Sequence, residues 1–319
     1  MDKNYALLGT IWVIVIVAAL ITYSFLPGYV REKGDLYEPF EYSQMYLENE
    51  SYSDLIIEYD YVAGHEPSET AMTILEEKVK NYTDKETVES VVDDQIGVND
   101  TRIAYDKNDI SELKESYQDH GRRDNKISMH VLYLNGVWKE NENALGLAKR
   151  PYQIVIFDSV IEDLAERNTN LTGEDIEGPV VVHEFGHLLS LVGLSYESEH
   201  EDTEYSGHCD ESKGECVMAG TVEVKENMGE APPSDFCDLC IEDMEYIREM
   251  EDSFGFEDLI SYLSISGQYL VGIWISTVII GKSSKNRKYR PHQVGPDRPE
   301  QVYQREERAY SDPDQSYDR

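Results

Sequence analysis

The stretch VVHEFGHLLSLVG, residues 181–193, constrains this chain more than any other part of it. Val180, Val181, Phe185, Leu188, Leu189 and Val192 recur with the spacing of a helix that buries one side, and a helix is expected over 178–192. His183 and His187 stand one turn apart, so both imidazoles leave that helix in the same direction. Two nitrogens so placed can reach one Zn²⁺ at about 2.0–2.1 Å. Glu184 follows the first histidine but is angled off the metal, where a carboxylate can take a proton from metal-bound water. A plain core helix is the poorer reading, because burying three polar side chains in an apolar run is costly without a partner.

A zinc ion needs a third protein ligand, and six residues past His187 the chain offers only Gly193. Of the eight histidines, His65, His120 and His130 lie upstream and His292 lies near the C-terminus. His200 and His208 remain close downstream. His208 is followed by Cys209, and the next landmarks are Cys216, Met218, Cys237 and Cys240.

In this order of residues the sequence resembles the archaemetzincins. Their signature runs H-E-x-x-H-x-x-G-x-x-H-C, then Cys-x-Met, then C-x-x-C. Here HEFGH at 183–187 is followed by HC at 208–209, CVM at 216–218 and CDLC at 237–240. The likeness covers about residues 129–240 and departs from the pattern in three places. Ser190 stands where the signature has its turn glycine, residues 194–207 look inserted before the last histidine, and six residues separate Cys209 from Cys216.

The resemblance implies an α+β, metzincin-like zinc peptidase domain, with a mixed sheet above an active-site helix. His183, His187 and His208 would hold a catalytic zinc, and Met218 would be the Met-turn residue beneath it. A substrate peptide would lie antiparallel to an edge strand near Leu145–Ala148. On this reading Gly193 ends the helix and 194–207 loops out, which is tolerable because closure entropy grows slowly with loop length. His200 is the fallback ligand. Glu197, Glu199, Glu201 and Glu204 are the acidic alternatives.

All four cysteines fall between 209 and 240. Sulfur clustered in this way suits a structural zinc held by Cys209, Cys216, Cys237 and Cys240, and the resemblance implies the same. Two disulfides are the rival reading, open to a domain outside the cell.

The formal net charge is −36, and residues 31–258 carry 56 acids against 18 bases. Such a surface repels phosphates, which excludes nucleic acid as a partner. The acidity serves solubility and suits high salt, where screening removes the repulsion among carboxylates. Two uncharged segments frame this middle. ALLGTIWVIVIVAALITYSFL, within 5–27, is long and apolar enough to span a bilayer as an N-terminal anchor. LISYLSISGQYLVGIWISTVIIG, 259–281, is followed by the basic run KSSKNRKYR, a spanning helix with a cytoplasmic stop. Both termini would then be cytoplasmic and the 31–258 domain outside, in the cell membrane. The 282–319 tail lacks apolar periodicity and reads as disordered.

Between these segments the patterns alternate. Strands are expected at 54–62, 129–136, 145–148 and 153–157, and helices after Ser68, from Thr83, from Asp109 and over 158–167. The functional expectation is a membrane-anchored zinc metallopeptidase, endopeptidase or aminopeptidase, acting on a peptide or protein with a zinc-activated water and Glu184 as general base. The alternative is a catalytically inactive, metal-stabilised binding ectodomain. Zinc binding alone does not require a carboxylate at 184, which favours the enzyme.

Overall fold

The computed structural model describes residue 31 and residues 37–149, 151–168, 170–193, 196–222 and 231–250, all within the first of two compact units, which ends at Phe256. The expected spans at 5–27 and 259–281 and the 282–319 tail lie outside the described residues. Among the described residues, no helix is long and apolar enough to cross a membrane.

Three strands form the centre of the sheet: β1 (Asp54–Val62), β4 (Lys126–Leu134) and β7 (Gln153–Phe157). Nearly all their residues are buried, as expected of parallel strands covered on both faces. β2 (Thr87–Ile96) extends the sheet beside β1, and β6 (Gly146–Lys149) extends it beside β7. The order is β2-β1-β4-β7-β6, parallel throughout except for β6, which runs antiparallel to β7. The fold is therefore a mixed α/β arrangement with a mostly parallel sheet. A separate parallel pair joins β3 (Ala104–Tyr105) to β5 (Val137–Trp138).

Helix α1 (Pro39–Leu47) precedes the sheet. α2 (Glu69–Tyr82) and α4 (Asp158–Arg167) both pack on α5 (Gly173–Leu188), which also lies against β6 and β7. The opposite face is closed by α3 (Lys107–Tyr117) and the residues after it. There the backbone N–H groups of Asp119 and His120 donate to the buried Glu58 carboxylate at 2.6 and 3.1 Å. Burial raises the Glu58 pKa, and these two bonds oppose the rise.

Glu58, His130, Gln153 and Lys149 are successive partners across four strands, so their side chains share that face. His130 Nε2 lies 2.6 Å from Asp60 Oδ2, and its Nδ1 lies 3.5 Å from Gln153 Nε2. A carboxylate accepts and an amide nitrogen donates, so the imidazole donates from Nε2 and accepts at Nδ1. Within this row His130 is held by neighbours in the sheet, while Glu58 and Lys149 are bonded by α3 and the residues after it.

Several expected elements differ, among them the strand expected at 129–136, which spans Lys126–Leu134. The helix expected from Thr83 is the strand β2. Thr83 closes α2 instead, its Oγ1 donating to the Val79 carbonyl at 2.8 Å, and the Thr-Val-x-x-Val-Val run then favours an extended chain. α3 begins at Lys107, not Asp109, because Asp106 is the cap. Its carboxylate accepts from the N–H groups of Asn108 and Asp109, and Asp109 reciprocates as the third helical residue. The helix expected over 178–192 spans Gly173–Leu188.

Candidate metal centres

α5 starts earlier than its apolar run because Thr172 and Asp175 cap it reciprocally, with Thr172 N–H donating to Asp175 Oδ2 at 2.8 Å. Pro179 lies inside it and removes one helical N–H, yet the flanking turns are buried and hold the helix together. Gly193 does not end the helix. The chain turns at Ser190, which adopts φ 59° at the position where the archaemetzincin signature has glycine. A non-glycine residue there costs roughly 1–2 kcal/mol. Ser43 of α1 offsets part of this by donating to Ser190 Oγ at 2.9 Å and approaching the Leu188 carbonyl at 3.3 Å.

The early turn lets the following segment come back over the helix. His183, His187 and His208 form one cluster, with ring centroids 4.7 Å apart for 183–187, 5.2 Å for 183–208 and 5.0 Å for 187–208. One nitrogen from each lies within 4.8 Å of the others. His183 is fully buried, whereas His187 and His208 are half-buried, so the cluster opens to solvent on their side. His183 Nδ1 lies 2.6 Å from the Val217 carbonyl. A carbonyl only accepts, so Nδ1 carries the proton and Nε2 is left as the ligand atom.

Two glycines make room for the rest of the site. A Cβ built on Gly146 would lie 2.5 Å from Glu184 Oε1, so β6 passes directly against the Glu184 carboxylate. A Cβ on Gly186 would overlap Met218 Sδ and Phe236. Met218 is fully buried, and it packs under the helical turn that separates His183 from His187. The peptide carbonyl before it holds His183, and its own carbonyl accepts from Cys209 N–H at 2.8 Å. The sequence-expected residues His183, Glu184, His187, His208 and Met218 are thus gathered in one place.

The four cysteines are gathered in another. Cys209 Sγ lies 3.5 Å from Cys216 and 3.4 Å from Cys240, and Cys216 lies 3.6 Å from Cys240. All four are free thiols, not disulfides. Sulfurs around one tetrahedral zinc at about 2.3 Å would be about 3.8 Å apart, a spacing that Cys209, Cys216 and Cys240 approach, and Cys209, Cys237 and Cys240 also have their sulfurs within 4.8 Å of one another. Cys237 caps helix α6 (Asp238–Glu249), and Cys240 lies in its first turn. Hydrogen bonds among the four sulfurs push Cys216 and Cys237 down and Cys209 and Cys240 up, so the four share their protons, whereas thiolate is the form that ligates.

His200 is not near the three histidines. Its Nε2 lies 3.6 Å from Cys240 Sγ and its Nδ1 lies 2.9 Å from Ser198 Oγ, which places it beside Cys209, Cys237 and Cys240 as a fifth donor. Nothing in its spacing distinguished this from the fallback role at the catalytic cluster, because the contact closes over forty residues.

The 196–207 part of the inserted segment is organised by its own acids. Glu201 accepts from Ser206 Oγ and from the Gly207 N–H, and Asp202 accepts from the N–H groups of Glu204 and Tyr205. The Asp202 N–H then donates to the His208 carbonyl at 2.7 Å. The acid-to-Ser/Gly spacing was the legible signal for such local turns. A third grouping, His65 with Asp158 at 2.8 Å and Glu162 at 3.7 Å, was not singled out by sequence; its Glu162 is exposed.

Neither a protein-family model nor a curated protein matches the sequence. Among solved structures, an archaemetzincin from Methanopyrus kandleri is similar to the chain, at 14% identity and a TM-score of 0.42, over 63% of this chain and 98% of that one. The likeness is distant and concerns the fold.

Proposed function

We propose that the chain is a zinc-dependent metallopeptidase whose catalytic metal is held by His183, His187 and His208. The observation that carries this is the meeting of three imidazoles with nitrogens within 4.8 Å, where the buried Glu184 follows the first of them on its helix and lies against β6. The donor set fits the ion: three neutral imidazoles with the tautomer of one fixed by a carbonyl, and a solvent-facing side for the fourth position. A zinc ion bound there supplies Lewis-acid polarisation of a carbonyl and lowers the pKa of a water to about 7.

Glu184 takes the proton of the attacking water as its oxygen adds to the peptide carbonyl carbon. It returns that proton to the amine nitrogen as the C–N bond breaks. β6 is the outer strand beside Glu184, and its backbone offers an extended peptide a partner. The thiols of Cys209, Cys216, Cys237 and Cys240 would hold a second, structural zinc. On the sequence reading, 5–27 and 259–281 tether the domain to a membrane.

The test is Glu184→Gln. The variant should keep its zinc and lose turnover on a peptide library by at least about 10²-fold. Cleavage by the variant at the wild-type rate would reject the assigned base. Binding of peptides with no cleavage by either protein would favour the inactive ectodomain.

A further inference from the structure

On the face of the sheet away from Glu184 lies a cavity of about 440 Å³, lined by Ser111, Lys114, Glu115, Gln118, Lys149 and Gln153. In a chain of net charge −36, two of its six lining residues are lysines and only Glu115, exposed at the rim, is acidic. Lys149 is half-buried, and its ammonium donates to Ser111 Oγ and the Lys107 carbonyl, both neutral acceptors. Lys114 lies over the Tyr152 ring at 5.1 Å. Burial and the charge of Lys114 both push the Lys149 pKa down, which an anion in the cavity would reverse. The floor is Gln153, almost fully buried and tied through His130 to Asp60.

The cavity's place on β6 gives it a role. The Phe157 N–H donates to the Leu145 carbonyl, so Leu145, Leu147 and Lys149 direct their backbone groups toward β7. Gly146 and Ala148 then direct theirs outward, and among the described residues β6 has no strand on that side. A peptide pairing antiparallel with this edge has its N-terminal part at the Lys149 end. Its residues alternate between the two faces in step with β6. Those level with Gly146 and Ala148 face Glu184, and the one level with Lys149 faces the lysines. Lys149 lies three positions along from Gly146, about 10 Å on a strand.

We propose, on the basis of the peptidase reading, that Lys114 and Lys149 form a carboxylate-binding subsite selecting peptides with Asp or Glu roughly three residues N-terminal to the cleaved bond. The carboxylate is held by charge-assisted hydrogen bonds over a polar floor. Long-range repulsion from the acidic surface weakens with salt, whereas a half-buried contact persists, so the preference survives in molar salt.

The test uses the zinc-loaded protein. Library digestion first locates cleaved bonds. Blocked peptides carrying Glu, Gln or Lys at the third position before the bond are then compared by kcat/KM, in dilute buffer and in 1 M salt. Their binding to Glu184→Gln is measured in parallel. The wild type should favour Glu over Gln by about tenfold, consistent with one close charge pair. The Lys114→Gln, Lys149→Gln double variant should bring that ratio near one. Cleavage with no Glu preference overturns the subsite and leaves the peptidase standing. No cleavage, with Glu-selective binding that the double variant loses, sinks the peptidase and keeps the subsite. Glu preference unchanged in a folded double variant overturns the assignment to these lysines.

Discussion

Gly146→Ala tests the site through a residue that makes no chemistry of its own. The methyl would lie 2.5 Å from Glu184 Oε1, whereas a carbon–oxygen contact needs about 3.5 Å. Glu184 or β6 must therefore give way by about 1 Å. Gly146 has ordinary strand backbone, so alanine brings no conformational strain there. Misplacing a catalytic group by about 1 Å costs on the order of 10²-fold in rate, or about 2.7 kcal/mol of transition-state stabilisation. The methyl's nearest contacts are Glu184 atoms, so metal content should not change. Steady-state kinetics, zinc per chain and a melting curve on the same preparation separate the outcomes. A fall of about 10²-fold with full zinc is expected, with the melt lowered by no more than overpacking costs, about 1–3 kcal/mol. Activity within twofold of the wild type would refute the placement of Glu184 against β6.

Gly186→Ala should act on stability, because its methyl overlaps Met218 and Phe236. Overpacking of this kind costs about 1–3 kcal/mol, read as a lower melting temperature, and an unchanged melt would show that Met218 is not packed under the helix. His200→Ala should leave zinc content unchanged but speed release to a chelator about 10–100-fold, the usual cost of losing an outer hydrogen bond to a ligand. Loss of a whole zinc equivalent would instead make His200 a ligand. Asp106 is held down at about 2 by Lys139 and by the N–H groups of Asp109 and Asn108. Its folded pKa lies below the unfolded value of about 4, so its contribution is complete above that value and is lost as the pH falls through about 2. A carboxyl titration followed by NMR should show this, and Lys139→Gln should move Asp106 back up.

What the sequence revealed depended on how local the determining contacts were. β7 and α4 are legible to the residue, since IVIF is an unbroken apolar run after Gln153 and DSVIEDLAER carries a helical stripe. His183 and His187 share a helix turn, and Cys237 and Cys240 share another, so spacing alone places each pair. β2 was misread because Thr83 and Glu86 imitate a helix start, while parallel pairing with β1 supplies the competing extended state. The first turns of α5 were hidden because GEDIEG is polar and Pro179 follows it. Ser190 gave no sign that it turns left-handed, because the Ser43 contact that supports it comes from 147 residues away. His208 needed the family pattern to be chosen over His200. Only the folded insertion, pinned to Cys209 and Met218, separates the two.

The most direct measurement is zinc per chain for the wild type and for His208→Ala, each shown to be folded by circular dichroism. Three imidazoles sharing one ion, with a separate thiolate site, predict two zinc ions falling to one. Two ions retained in the variant would contradict the claim that His208 completes the catalytic centre.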